Sequence, residues 1–365
     1  MASSNTTANK DKVSLKFSAI DLVHEQVIPK LTELKGNNGR IQYGENDLYP
    51  EYLNELCNDV TTLKTIIEGT TDFVCGDGVE SKDPRFEKNR EGVTLRKMFW
   101  NLAHDYLVYG GCAFEVILSN DLSSVAEVNY LNYRFLRSDK NNEMFWYSEQ
   151  FAKKWGRTND AIVYPRYFVG TKQPRSVVYL KNNDTTTYPI PRYSGAIKAC
   201  EIERRIDDMH LNSLENNFMA SSLISFNNGV PSDQEKAEIE KRIQKKFAGT
   251  ENAGRIMISY TNGKENATTV TKLDTNDFLD RYNAAAERAR KQIFMSFRAT
   301  PNLFGYMDDT TGFNTQEFSE SFKLYNRTVC QPIQMLIKEA LEETVGEEFV
   351  DIKPFNIDIN NTTIE

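Results

Sequence analysis

FRATPNLFGYMDDTTGFNTQEFSESFKLYNRTVCQPIQMLIKEALEE, residues 297–343, is the stretch whose reading decides the fold. A helical run ends at Phe297, and Ala299–Thr315 follows as a loop that opens on Pro301 and turns at Gly305. Within it, Thr310, Thr311, Gly312 and Asn314 suit a segment that must flex, because small polar side chains and glycine resist fixed packing. From Gln316 to about Thr344 a long helical pattern resumes. Pro332 lies inside it, lacks an N–H and should kink it. The tail beyond, FVDIKPFNIDI, alternates like a strand.

Upstream, two long helical patterns flank a compact insert. The first runs from Ile197 to about Phe226, and the second from Asp277 to Phe297 with Thr275 or Asn276 as its cap. Between them lie a charged helix (Glu235–Phe247), a strand (Ala253–Tyr260), a turn (262–267) and a second strand (Thr268–Leu273). In the second long helix Phe278, Tyr282, Ala285, Ala289, Ile293 and Phe297 form one apolar stripe. Arg281, Arg288, Arg290 and Lys291 take much of the remaining surface. One modest stripe with polar flanks suits packing beside an identical neighbour, and it equally describes an ordinary surface helix.

Further upstream, a helix is expected from about Pro50, with Leu53, Leu56, Val60, Leu63 and Ile67 on one face. Residues 75–92 read as a charged loop, and a helix from Thr94 to Tyr109 stops at Gly110-Gly111. Strands follow in CAFEVIL (112–118), VAEVNYLNYRFLRS (125–138), EMFWYSEQFAKKW (143–155) and SVVYLK (176–181). YPIPRYSGA (188–196) is a rigid turn into the first long helix. The fold class is α+β.

The bulk properties agree with a folded chain that leaves surface for partners. Of 365 residues 39% are hydrophobic, low for a self-contained globule, yet 11% are aromatic, which argues against disorder. Five scattered cysteines show no metal-ligand spacing and read as reduced thiols. The opening residues lack the apolar core of a signal peptide, and no apolar run is long enough for a membrane span, so synthesis inside a cell and no membrane partner are expected. A net charge of −8 disfavours tight general binding of nucleic acid.

Catalytic motifs are scarce. There is no phosphate-binding GxxxxGK[ST], no GxSxG elbow, and His24, His104 and His210 lack partners at metal spacing. No metal and no cofactor is expected, and the chain does not read as an enzyme. Tyr306-Met307-Asp308-Asp309 matches the YxDD box in which polymerases hold metal ions. That box needs a hairpin between apolar strands, whereas here it sits in loop and helix-start sequence. A nucleic-acid polymerase is thus the weaker alternative, behind a neck or baseplate structural subunit of a phage.

The order of these elements resembles the phage portal proteins, the HK97-like and related families. GNNGRIQYGENDLYPEYLNEL (36–56) is similar to a frequent portal beginning. LAHDYLVYGGCAFEVIL (102–118) is similar to a portal segment in which a helix ends at glycine and a strand follows. YPIPRYSGA with its long helix ending in NNG, and FAGTENAGRIMISY (247–260), are similar to the first stem helix and a clip strand. Residues 297–343 are similar to the segment where a Leu-Phe-Gly step precedes the tunnel loop. Many relatives have two prolines before that step; here Asn302 follows Pro301.

The resemblance implies an N-terminal arm (1–44), a wing of helices and a β layer (45–196) and a first stem helix (197–228). It further implies an αββ clip (229–274), a second stem helix (275–299), a tunnel-loop region (300–315), a long kinked wing or crown-side helix (316–346) and a C-terminal strand (347–365). It implies a non-enzymatic ring, usually of twelve subunits, at one capsid vertex of the virion, through which double-stranded DNA is packaged and ejected. Partners would be the terminase large subunit, a head-tail adaptor and the major capsid protein. Tyr306, Met307, Asp308, Asp309, Thr310, Thr311, Gly312, Phe313 and Asn314 would line the narrowest point. Arg281, Arg288 and Lys291 would lie on the stem, and Glu235, Lys236, Glu240 and Lys241 would offer the clip contact. Twelve chains at −8 carry about −96, a field that disfavours phosphate adhesion to the bore. Asp308 and Asp309 would either add to that field or cap their loop.

Overall fold

The computed structural model describes residues 31–33, 39–153, 160–215, 223–226, 232, 234–235, 238, 257–260, 275–306 and 315–356. Strands β1 (Leu31–Glu33) and β2 (Ile41–Tyr43) pair antiparallel. Helices α1 (Tyr49–Asp59) and α2 (Thr61–Cys75) replace the single helix expected from Pro50. The break falls at Val60, which is extended (φ −98°, ψ 106°) and wholly buried. Val60-Thr61-Thr62 is a β-branched run with stiff side chains and low helix propensity, so the chain turns there and keeps the apolar stripe inward.

The stretch 75–92 is not all loop, because β3 (Gly78–Ser81) lies within it. Helix α3 (Leu95–Tyr109) begins at Thr94, whose hydroxyl accepts from the Lys97 N–H, and ends at Gly110. Strands β4 (Gly111–Leu118), β5 (Val125–Leu131), β6 (Leu136–Ser138), β7 (Met144–Tyr147), β8 (Ile162–Pro165) and β9 (Arg175–Lys181) form two antiparallel sheets, ordered β5-β4-β9 and β6-β7-β8. Strand β8, absent from the sequence reading, is too short to show a period. Strand β4 is central, and its Cys112, Ala113, Phe114 and Val116 are wholly buried.

A charged staple joins this β layer to the amino-terminal segment. Arg137 donates to Asp47 Oδ1 (2.6 Å) and to the backbone oxygens of Asp47 (2.7 Å), Arg134 (2.9 Å) and Leu136 (2.8 Å). Arg40 pairs with the other Asp47 oxygen, and the Phe151 ring lies under both guanidinium groups.

Helix α4 (Ile197–Glu215) is shorter than the expected 197–226, since Leu223–Phe226 is a strand, β10, paired in parallel with β11 (Met257–Tyr260). Leu-Ile-Ser-Phe and Met-Ile-Ser-Tyr have the same alternating, β-prone character, and register sets Ile224 beside Ile258. Of the helix expected over Glu235–Phe247 only residues 235 and 238 are described, both helical, and the rest of it, the strand Thr268–Leu273 and most of 1–44 lie outside the described residues.

Helix α5 (Thr275–Phe297) packs along α4. Helices α6 (Thr315–Tyr325) and α7 (Gln331–Val345) are joined by a π-helical turn, Asn326–Cys330. The expected interruption thus occurs just before Pro332. Pro332 lies just past that turn, whose last bond runs from the Gln331 N–H to the Asn326 oxygen, and the wide turn accommodates a residue with no N–H to continue the ladder. The tail forms β12 (Val350–Lys353), antiparallel to β3. One core runs through all of this, from Leu53, Leu63 and Ile66 through Phe99 and Phe114 to Ile293, Phe297, Ile337 and Leu341.

Candidate functional site

The loop that opens on Pro301 has a well-built root. Pro301–Phe304 forms one 3-10 turn, Gly305 adopts the left-handed conformation (φ 76°), and the Tyr306 N–H donates to the Pro301 oxygen (3.1 Å). Leu303 is buried. Phe304 packs against Phe73, Phe294 and Tyr325. Gly69 of α2 makes that packing possible, since a Cβ there would sit 3.0 Å from the Phe304 ring.

Tyr306 is then tied to α5. Its hydroxyl donates to the Glu287 carboxylate, 2.9 and 3.0 Å from the two oxygens, which holds the phenol above its usual range. Arg290 lies 3.2 Å from Glu287 and 3.7 Å from Glu203 of α4, and the Thr62 hydroxyl of α2 donates to the same Glu203 oxygen (2.7 Å). A polar chain therefore runs from the loop root through α5 and α4 into α2.

Glu203 is its buried member, 2% exposed, and its second oxygen meets no donor among the described residues. Burial pushes its carboxyl up and Asp207 adds to that, while Thr62 and Arg290 pull the other way; the net direction is upward. An acid whose folded value is raised binds its proton more tightly in the folded state. Its contribution to stability is present at low pH and lost as pH rises from the ordinary carboxylate range through the raised value. Glu203→Gln should flatten that part of the profile, read as urea midpoint against pH. An unchanged slope would assign the pH dependence elsewhere.

Of the residues singled out in sequence, Tyr306 stands at the loop root, half-buried, and Met307 to Asn314 lie outside the described residues. Arg281, Arg288 and Lys291 share the exposed side of α5. Glu235 is exposed and accepts from the Ser232 N–H (2.9 Å) and hydroxyl (2.8 Å), the reciprocal arm of a helix cap. Lys236, Glu240 and Lys241 lie outside the described residues. Sequence reading missed the Glu287–Glu203–Thr62 connection, whose local signal was only Glu287 and Arg290 three apart on one helix.

Among the described residues, no three His, Cys, Asp or Glu side chains are placed to hold a metal ion, and no helix is long and apolar enough to cross a membrane. All five cysteines are free and buried. His104 stacks on Trp100, 5.1 Å between ring centres.

The chain is similar to a protein of the neck of an empty gene transfer agent particle determined with C6 symmetry (15% identity, 85% of each chain, TM-score 0.56). It is also similar to one from the native neck determined with C12 symmetry (17%, 86% of each chain, TM-score 0.52). An HK97 family phage portal protein from Corynebacterium diphtheriae matches at 10% identity over 82% of this chain and 93% of that one, TM-score 0.49. No curated protein sequence is significantly similar. The sequence model of the family described as phage portal protein matches residues 89–358, and the chain belongs to that family.

Proposed function

We propose that copies of this chain close into a ring of twelve at one vertex of a virion and form the channel for genome packaging and ejection. In this reading α4 and α5 are the stem helices, residues 229–274 with β10 and β11 make the clip, and Tyr306–Asn314 is the tunnel loop. The observation that carries it is the joint placement of these parts. The two long helices pack side by side, strands pair just beyond α4, and the loop root is fixed to α5 through Tyr306 and Glu287.

The role is structural: work on DNA would come from the terminase large subunit docking on the clip, where Glu235, Lys236, Glu240 and Lys241 are the contact candidates. A head-tail adaptor would take the same end later, and the major capsid protein would surround wing and stem. Assembly would take place in the host cytoplasm.

Electron microscopy and native mass measurement of the purified protein test the proposal. At 41.9 kDa per chain, an annulus of about half a megadalton with a central hole is expected. A monomer under all conditions, or an assembly with no hole, overturns it.

A further inference from the structure

Arg290 stands between two carboxylates and serves them unequally. Its Nη1 donates to Glu287 Oε1 on the same helix at 3.2 Å, while its Nε lies 3.7 Å from Glu203 Oε1 on α4, beyond hydrogen-bond reach. One acid is therefore held by a hydrogen bond and the other by charge alone. Their surroundings differ as well. The Arg290 and Glu287 side chains are 33% and 40% exposed, whereas Glu203 is 2% exposed.

The two seats differ in what they offer the guanidinium. At Glu287 the pairing is screened by solvent and weak, and the carboxylate also takes the Tyr306 hydroxyl across both its oxygens. At Glu203 one oxygen accepts from Thr62, and the other, buried, meets no donor among the described residues. A buried acceptor without a donor costs more than a screened pair returns. Arginine presents five N–H donors in a planar fork that matches the two oxygens of a carboxylate. Full seating on Glu203 would satisfy the oxygen that now lacks a donor, and the bond to Glu287 is what Arg290 would give up for it.

We propose that Arg290 is a transferable cation, resting on Glu287 while Tyr306 is seated there and passing to Glu203 when the Glu287 carboxylate is drawn away. This rests on the reading of the loop after Pro301 as the tunnel loop, and adds how its root is coupled to the wing. Because the Tyr306 hydroxyl spans both oxygens of Glu287, a pull on Tyr306 moves that carboxylate with it. Arg290 then closes on Glu203 and, through Glu203 and Thr62, binds α5 to α4 and α2. Load on the loop root tightens the helix contact behind it. The two positions of one side chain are the bistable element that such coupling requires.

Glu287→Gln removes the charge of the first seat and keeps its shape. In a side-chain-resolution structure of E287Q, the guanidinium should lie within hydrogen-bond distance of both Glu203 oxygens. A guanidinium still beside residue 287, or turned to solvent, overturns the inference. The energetic measure is a double-mutant cycle of R290A with E203Q, read by urea unfolding of the full chain at one fixed concentration, in the parent and in E287Q. Coupling is the factor by which the unfolding equilibrium of the double variant departs from the product of the singles. It should be about tenfold larger in E287Q than in the parent. Equal coupling in both backgrounds also overturns the inference, and the structure of E287Q decides alone if the triple variant does not fold. A ring with equal coupling removes the transfer and leaves the channel reading. Larger coupling in a chain that forms no ring upholds the transfer and removes the channel reading.

Discussion

Replacing Arg137 with alanine should destabilise the protein by about 3–5 kcal/mol, the range for removing one partner of a buried ion pair. Arg137 is 1% exposed and makes four hydrogen bonds that join Asp47, Arg134 and Leu136. Its loss takes a charged donor from three backbone oxygens, two of them buried, and it removes half of the positive charge that balances the Asp47 carboxylate. Asp47 keeps Arg40 and the Tyr43 N–H (2.8 Å), so the fold survives but the link between β2 and β6 slackens. Arg137→Lys should not rescue it, because an ammonium cannot serve oxygens on both sides of a planar fork. Urea denaturation reads the effect. A shift of under about 1 kcal/mol for the alanine variant would show that the site is wet and the staple incidental.

Gly76→Ala should be the most damaging glycine-to-alanine change among the described residues, costing about 3 kcal/mol. Gly76 ends α2 with φ 58° and ψ −153°, a conformation nearly confined to glycine. A Cβ at this position would stand 2.0 Å from the Lys353 backbone oxygen, which itself accepts from the Asp77 N–H (3.0 Å). Neither side can yield without breaking the pairing of β3 with β12. The expected result is early loss of amide-exchange protection along 78–81 and 350–353. Protection equal to the parent in both strands would show that the helix end can relax.

Much of this architecture was legible in the sequence, and the failures have physical causes. Helix α3 declared both its ends, through Thr94 and Gly110, because caps are local chemistry. The long helices showed through their stripes. The boundary of α4 did not show, because Leu223–Phe226 acquires its strand character from pairing with Met257–Tyr260, a contact that no local pattern announces. Strand β3 was hidden for the same reason, its partner lying at the far end of the chain. The loop after Pro301 stood out by composition. Its anchoring through Tyr306, Glu287, Arg290, Glu203 and Thr62 draws on three separate helices, and only packing brings those side chains together.

The pairing of β3 with β12 bears on when the protein becomes whole. Lys353 and Glu80 meet across 273 residues of chain, among the longest separations in the molecule. Contacts of such high order form late and slowly, because the intervening loop must be closed before they return any free energy. Until residues 350–353 have been made, β3 has no partner strand, and the Asp77 N–H at the end of α2 has no Lys353 oxygen to meet.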